Sequence, residues 1–169
     1  MVLRDDLNIR FLKKLHKSCE LLGGHLIVKL HPRGQAEPLD IYKALDADST
    51  SCFEVVKEGD DTIEILKRSD VLITVSSTVI LEALMMDKEC VIGNYLAGES
   101  RLEYGLYDAV HTVENEEELF SIMKKAILSK KNYESKQRLL EDELYKLDGQ
   151  AGKRAVRFIE EIISGHNLI

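Results

Sequence analysis

Three hydroxyl side chains in a row, Ser76, Ser77 and Thr78, follow the β-branched run Val71-Leu72-Ile73-Thr74-Val75 and precede a largely apolar stretch of helical character. A run of that kind reads as a strand buried on both faces of a parallel sheet. A helix starting directly after its carboxyl end points free backbone N–H groups, and the positive end of its dipole, at the same place as the hydroxyls. Such a meeting of donors suits a phosphate or another small anion. A single hydroxyl is enough to cap a helix. Three of them, at the edge where open parallel sheets take their ligands, suggest a binding role beyond capping.

The same edge collects other polar residues. The run His25–Leu30 reads as a strand, and His31-Pro32-Arg33 follows it. Proline ends the strand and sets the turn, leaving His31 to donate to a phosphate oxygen or assist a leaving phosphate, with Arg33 beside it. Glu82 sits on the otherwise apolar helix after the serines. A carboxylate there is costly unless solvated or paired, and it could accept hydrogen bonds from ribose or sugar hydroxyls. The long connection from Asn94 to Tyr107 carries Glu99, Arg101, Tyr104 and Tyr107. Arg101 could meet phosphate and a tyrosine could stack on a base, although partly buried surface tyrosines would look the same.

Other chemistries lack their residues. His16, His25, His111 and His166 have no ligand spacing, and neither a Cys/His cluster nor HExxH occurs, so no metal is expected. No GxGxxG or GxxxxGK[ST] loop and no GxSxG elbow is present. No cofactor is expected. Cys19, Cys52 and Cys90 are far apart and read as buried free thiols of a reducing compartment.

The 169 residues suit one domain with a sizeable core. The formal net charge of −7 argues against a general nucleic-acid surface. No apolar run reaches the roughly 18 residues of a membrane span, and the first residues lack a signal-peptide core. A cytoplasmic location is therefore expected, with peripheral membrane association left open.

These residues need a scaffold, and hydrophobic periodicity supplies one. Helices are expected at 7–22 (stopped by Gly23-Gly24), 39–46, 61–68, 77–87, 115–129, 133–147 and 151–164. Strands are expected at 25–30, 52–57, 71–75, 90–93 and 109–113, with 94–107 as a loop. Asn115 should cap its helix, whose first turn carries Glu116, Glu117 and Glu118. A break is expected at Asp148-Gly149. Strands alternating with helices imply an α/β domain spanning 1–169. It is expected to be a doubly wound, Rossmann-like parallel sheet of about five strands with helices on both faces, and 133–169 would be a C-terminal helical extension. Only Met1-Val2-Leu3 precede the first helix, whereas such domains normally open on a central strand. A stub, a longer parent protein, or a partner filling the gap would each account for this.

With KLHPR, SDVLITVSSTVILEAL and KLDGQAGKRAVRFIEE in view, the chain resembles the C-terminal half of GT-B glycosyltransferases over nearly its whole length. It is most similar to CDP-glycerol glycerophosphotransferases and to surface-polysaccharide sialyl- and Kdo-type transferases with His-Pro and Ser-Ser/Thr motifs. It resembles the UDP-N-acetylglucosamine 2-epimerase fold more distantly. The resemblance implies that His31, Ser76, Ser77 and Thr78 contact the donor's phosphate and nucleotide, with His31 the catalytic candidate, and that Glu82 matches a family acidic position. It also implies an N-terminal acceptor-binding domain that this chain lacks. The chain would then depend on an N-terminal-type partner or a homo-oligomer and would be incomplete as an enzyme by itself. Ser77 and Thr78 stand where the epimerase signature has glycines.

Overall fold

A computed structural model of the chain describes residues 6–30, 38–45, 52–56, 59, 61–97, 103–128 and 132–165. The architecture is α/β. Helix α1 (Asp6–Leu21) leads into strand β1 (Leu26–Lys29), α2 (Pro38–Ala44), β2 (Phe53–Val56), α3 (Thr62–Lys67), β3 (Val71–Thr74), α4 (Val79–Met85) and β4 (Glu89–Gly93). There follow a short α5 (Asn94–Ala97), β5 (His111–Val113), α6 (Leu119–Leu128), α7 (Tyr133–Leu144) and α8 (Ala151–Ile163). Every expected helix and strand is present, with ends shifted by up to three residues, except that α6 starts only at Leu119 because the first turn after Asn115 is 3₁₀. The connection 94–107 is a correction: it holds α5 and a 3₁₀ turn over Glu103–Leu106.

Local chemistry explains several boundaries. α1 stops where Gly23 takes φ +67° and the amide of Gly24 donates to the Cys19 carbonyl, a left-handed termination that glycine enters at little cost. Asp61 caps α3 by accepting from the Ile63 amide at 2.8 Å. Asn115 accepts from the amides of Glu117 and Glu118, while Glu118 reaches back to the Glu114 amide. That arrangement is a variant of the capping box, with the amide before the N-cap taking the place of the N-cap's own; it opens a 3₁₀ turn (Glu116–Glu118) that runs into α6. The break at Asp148-Gly149 is present, with Gly149 at φ +67° and Asp148 accepting from the Gln150 amide.

All strand pairs are parallel. β1 pairs with β2 from Leu26↔Phe53 to Lys29↔Val56. β3 pairs with β4 from Val71↔Glu89 to Thr74↔Ile92, and β4 with β5 from Val91↔His111 to Gly93↔Val113. The ladders thus form two sheets, one of two strands and one of three, where the sequence led us to expect a single sheet. Among the described residues no strand pairs with the second edge of β1 or of β3.

Two apolar layers hold these sheets. One gathers Phe11, Leu12 and Leu15 of α1, Ile41 of α2 and Leu119, Met123 and Ala126 of α6 around Leu26, Phe53, Val91 and Val113. The other gathers Leu66, Ile80, Ala83, Leu84, Leu139 and Leu140 from α3, α4 and α7 around Cys90 and Ile92. β4 therefore feeds both layers by alternation, with Val91 on one side and Cys90 and Ile92 on the other. That is why the residues Cys90, Val91 and Ile92 along its middle are all apolar.

The cysteines correct one expectation. All three thiols are free, but Cys52 is exposed and Cys19 half-buried, so only Cys90 is a core thiol. Burial pushes the Cys90 thiol up to about 12, although the Lys136 ammonium pulls the other way. Burial also raises the Tyr95 hydroxyl to about 12. A native chain is expected to yield its Cys52 thiol rapidly to an aromatic disulfide reagent, and Cys90 only on unfolding. Both raised groups hold their protons longer in the folded chain than in the unfolded one. Stability should therefore fall as pH rises from about 9 towards 12, which denaturant midpoints measured across that range will show. Rapid native labelling of Cys90 would contradict this placement.

Candidate functional site

The three-stranded sheet brings the ends of β3, β4 and β5 side by side, because Thr74 pairs level with Ile92 and Gly93 with Val113. The residues that leave that edge are Ser76-Ser77-Thr78 after β3, Asn94 after β4 and Glu114 after β5. Apolar strands bury their lengths in the two layers, so the first polar residues past their ends collect along one rim.

At β3, Thr78 stands at the N-cap position of α4, with φ −67° and ψ −10°, and its side chain makes no capping bond. Ser77 does the capping, since its Oγ accepts from the Val79 amide at 3.3 Å. Ser77 is half-buried, whereas Ser76 and Thr78 are exposed, and among the described residues neither of their hydroxyls has a hydrogen-bond partner. One of the three hydroxyls therefore has a structural job and two are uncommitted. Glu82, one turn into α4, is exposed and makes no ion pair among the described residues, so solvent removes the desolvation cost that its apolar neighbours suggested. Lys88 does not pair with it, and donates instead to the Lys67 carbonyl at 3.2 Å.

Sequence reasoning passed over Asn94 and Glu114, which the fold joins. Asn94 Nδ2 donates to Glu114 Oε1 at 2.6 Å, tying the exits of β4 and β5. Asn94 Oδ1 and the neighbouring Tyr95 hydroxyl are buried, with no hydrogen-bond partner among the described residues. The available signal was the first polar residue after each buried strand. Gly105 packs against this region so closely that an added Cβ would lie 2.8 Å from the Thr112 methyl.

His31, Arg33 and Arg101 lie outside the described residues. The tyrosines of the 94–107 connection are structural: Tyr104 is buried in the second apolar layer, and the Tyr107 hydroxyl donates to Asp142 at 2.9 Å. An open cleft of about 420 Å³ lies between this connection and α7, lined by Leu106, Tyr107, Asp108, Ser135, Arg138 and Glu143. Of the residues singled out from sequence Tyr107 lines it, whereas Ser76, Ser77, Thr78 and Glu82 do not.

Set against protein-family models, curated proteins and solved structures, the chain matches none. No described helix is long and apolar enough to cross a membrane. What the rim can do is therefore argued from its own chemistry. It offers two unbonded hydroxyls beside a helix start, a fixed amide–carboxylate pair, and the exposed Glu82.

Proposed function

We propose that this chain is the donor-binding half of a GT-B-type glycosyltransferase or glycerophosphotransferase, holding a nucleotide-activated donor at the rim of β3, β4 and β5. The observation that carries the reading is the pair of uncommitted hydroxyls, Ser76 and Thr78, flanking the Ser77 cap where a buried parallel strand passes into a helix. Donors placed there would stabilise the charge that grows on a departing nucleotide. In this reading the exposed Glu82 accepts from ribose or sugar hydroxyls. His31, Arg33 and Arg101 join the reading through the sequence resemblance alone.

The same reading treats the two sheets as parts of one doubly wound sheet. Support comes from Leu26 and Val28 of β1 and Val71 and Ile73 of β3, which meet the same apolar layer although the two strands share no ladder. One strand between them would give the order β2-β1-x-β3-β4-β5. That no described strand pairs between β1 and β3 favours a second reading, a non-catalytic or split-enzyme module that an N-terminal-type partner completes.

Thermal denaturation with CMP, CDP, UDP and GDP tests the proposal. A nucleotide at about a hundredfold its dissociation constant stabilises the native chain by about 2.7 kcal/mol, which raises Tm by roughly 5–10 °C for a chain of this size. The Ser76→Ala/Thr78→Ala variant should lose most of that rise while keeping the Tm of the free chain, because neither side chain is bonded among the described residues. A folded wild-type chain that none of the four nucleotides stabilises removes the donor reading and leaves the interaction module.

A further inference from the structure

Helix α8 contributes no buried residue and belongs to neither apolar layer. It is nonetheless strongly amphipathic. At about 100° per residue, Ala155, Val156, Ile159, Ile162 and Ile163 share one face, and Ile163 is 80% exposed. A contiguous apolar stripe of this kind marks an interaction surface.

Charge and side-chain size on α8 decide what covers the stripe. Most charges on its polar back are satisfied within the chain: Arg154 binds Asp148 at 2.7 Å and Arg157 binds Glu161 at 2.9 Å. Lys153 and Glu160 have no ion pair among the described residues. They lie on the same flank of the stripe, one heptad apart and opposite in charge. In a two-fold antiparallel helix pair, a flank meets its own equivalent, so Lys153 of each copy comes level with Glu160 of the other.

The same dyad, passing between Val156 and Arg157, matches small residues to large ones. It sets Ile162 level with Ala151, Phe158 level with Ala155, and Ile159 over the Gly152–Ala155 stretch of the second copy. The space above Gly152 is open, since an added Cβ there would meet nothing within 4 Å.

We infer that α8 is a self-association element that pairs antiparallel with α8 of a second copy of this chain. A lipid surface fits less well. The polar side carries Lys153, Arg154 and Arg157 but also Glu160 and Glu161, whereas helices that lie on membranes are rich in Lys and Arg. A single helix pair buries less than the roughly 1,200 Å² of stable interfaces, so the dimer is weak, with a dissociation constant in the micromolar range.

Sedimentation equilibrium on the full 169-residue chain, from about 5 to about 500 μM, tests this across the expected range. The wild type should pass from monomer to dimer. Ile159→Glu should stay monomeric throughout with an unchanged melting curve, since α8 supports no core. Lys153→Glu should weaken the dimer about three- to tenfold by setting like charges against each other. Adding Glu160→Lys to it should restore the affinity, which parallel pairing or unspecific apolar contact would not reproduce. The inference is overturned if the wild type is monomeric at the highest concentration, if association survives Ile159→Glu, or if the charge exchange restores nothing. It is also overturned if a monomeric chain sediments with vesicles of phosphatidylcholine and phosphatidylglycerol. None of these outcomes depends on nucleotide binding, so the donor reading stands or falls separately.

Discussion

Replacing Lys136 by alanine is expected to cost about 3–5 kcal/mol, lowering Tm by roughly 6–20 °C for a chain of this length. Lys136 on α7 is a buried cation, 3% exposed. Its Nζ lies 2.9 Å from Glu89 Oε1, 3.1 Å from the Lys88 carbonyl and 3.3 Å from Asp87 Oδ1. Glu89 is itself buried, with His111 Nε2 3.4 Å from its other oxygen. Truncating the lysine would strand a carboxylate inside the fold and free α7 from the start of β4. Removing both charges together, as Lys136→Met with Glu89→Leu, should recover much of the loss, because a buried pair gains little over apolar packing. The cluster lies at the amino ends of β4 and β5, away from the rim, so nucleotide binding should survive wherever the variant is folded. Chemical denaturation of both variants checks this. A Tm change under 2 °C for Lys136→Ala would show that the ammonium is not sealed in as described.

The second large effect is expected at Ile80, which is fully buried one residue after the first residue of α4. Ile80→Ala should cost about 2–5 kcal/mol, and Ile80→Val only about 0.5–1.5. Ile80 packs with Cys90, Ile92 and Leu139, and it holds the start of α4, and so Ser77 and Thr78, against β4. The alanine variant should therefore lose nucleotide affinity as well as stability, at temperatures where it remains folded. Equal stability of the alanine and valine variants in denaturant titration would mean that the pocket around Ile80 collapses and that the helix start is held by something else.

The motif 71–78 illustrates how far a linear reading reaches. Its apolar, β-branched run and its three hydroxyls are enough to foresee a buried strand passing into a helix, and both are present. Which hydroxyl caps the helix is not written there. Ser76, Ser77 and Thr78 are chemically close, and only backbone geometry assigns the cap to Ser77 and leaves the other two unbonded. Glu82 looked costly because its neighbours in sequence are apolar, yet a helix turns 100° per residue and carries it to solvent. Asn94 and Glu114 are 20 residues apart, and no local pattern announces that parallel register will join them. The same holds for Lys136 and Glu89, 47 residues apart, whose charges read as ordinary surface until α7 packs over the end of β4. The apolar neighbours of Cys52 suggest a core thiol, but a residue just outside a strand's end escapes the layer that buries the strand.

Element types, their order, the caps at Asn115 and Gly23 and the break at Gly149 follow from interactions spanning a few residues, so the amino-acid order alone determines them. Whether five short strands join one sheet or two, which hydroxyls stay unbonded, and that α8 ends with its apolar face uncovered depend on contacts between segments far apart in the chain. Those contacts are set by packing and strand register, which exist only once the chain has folded.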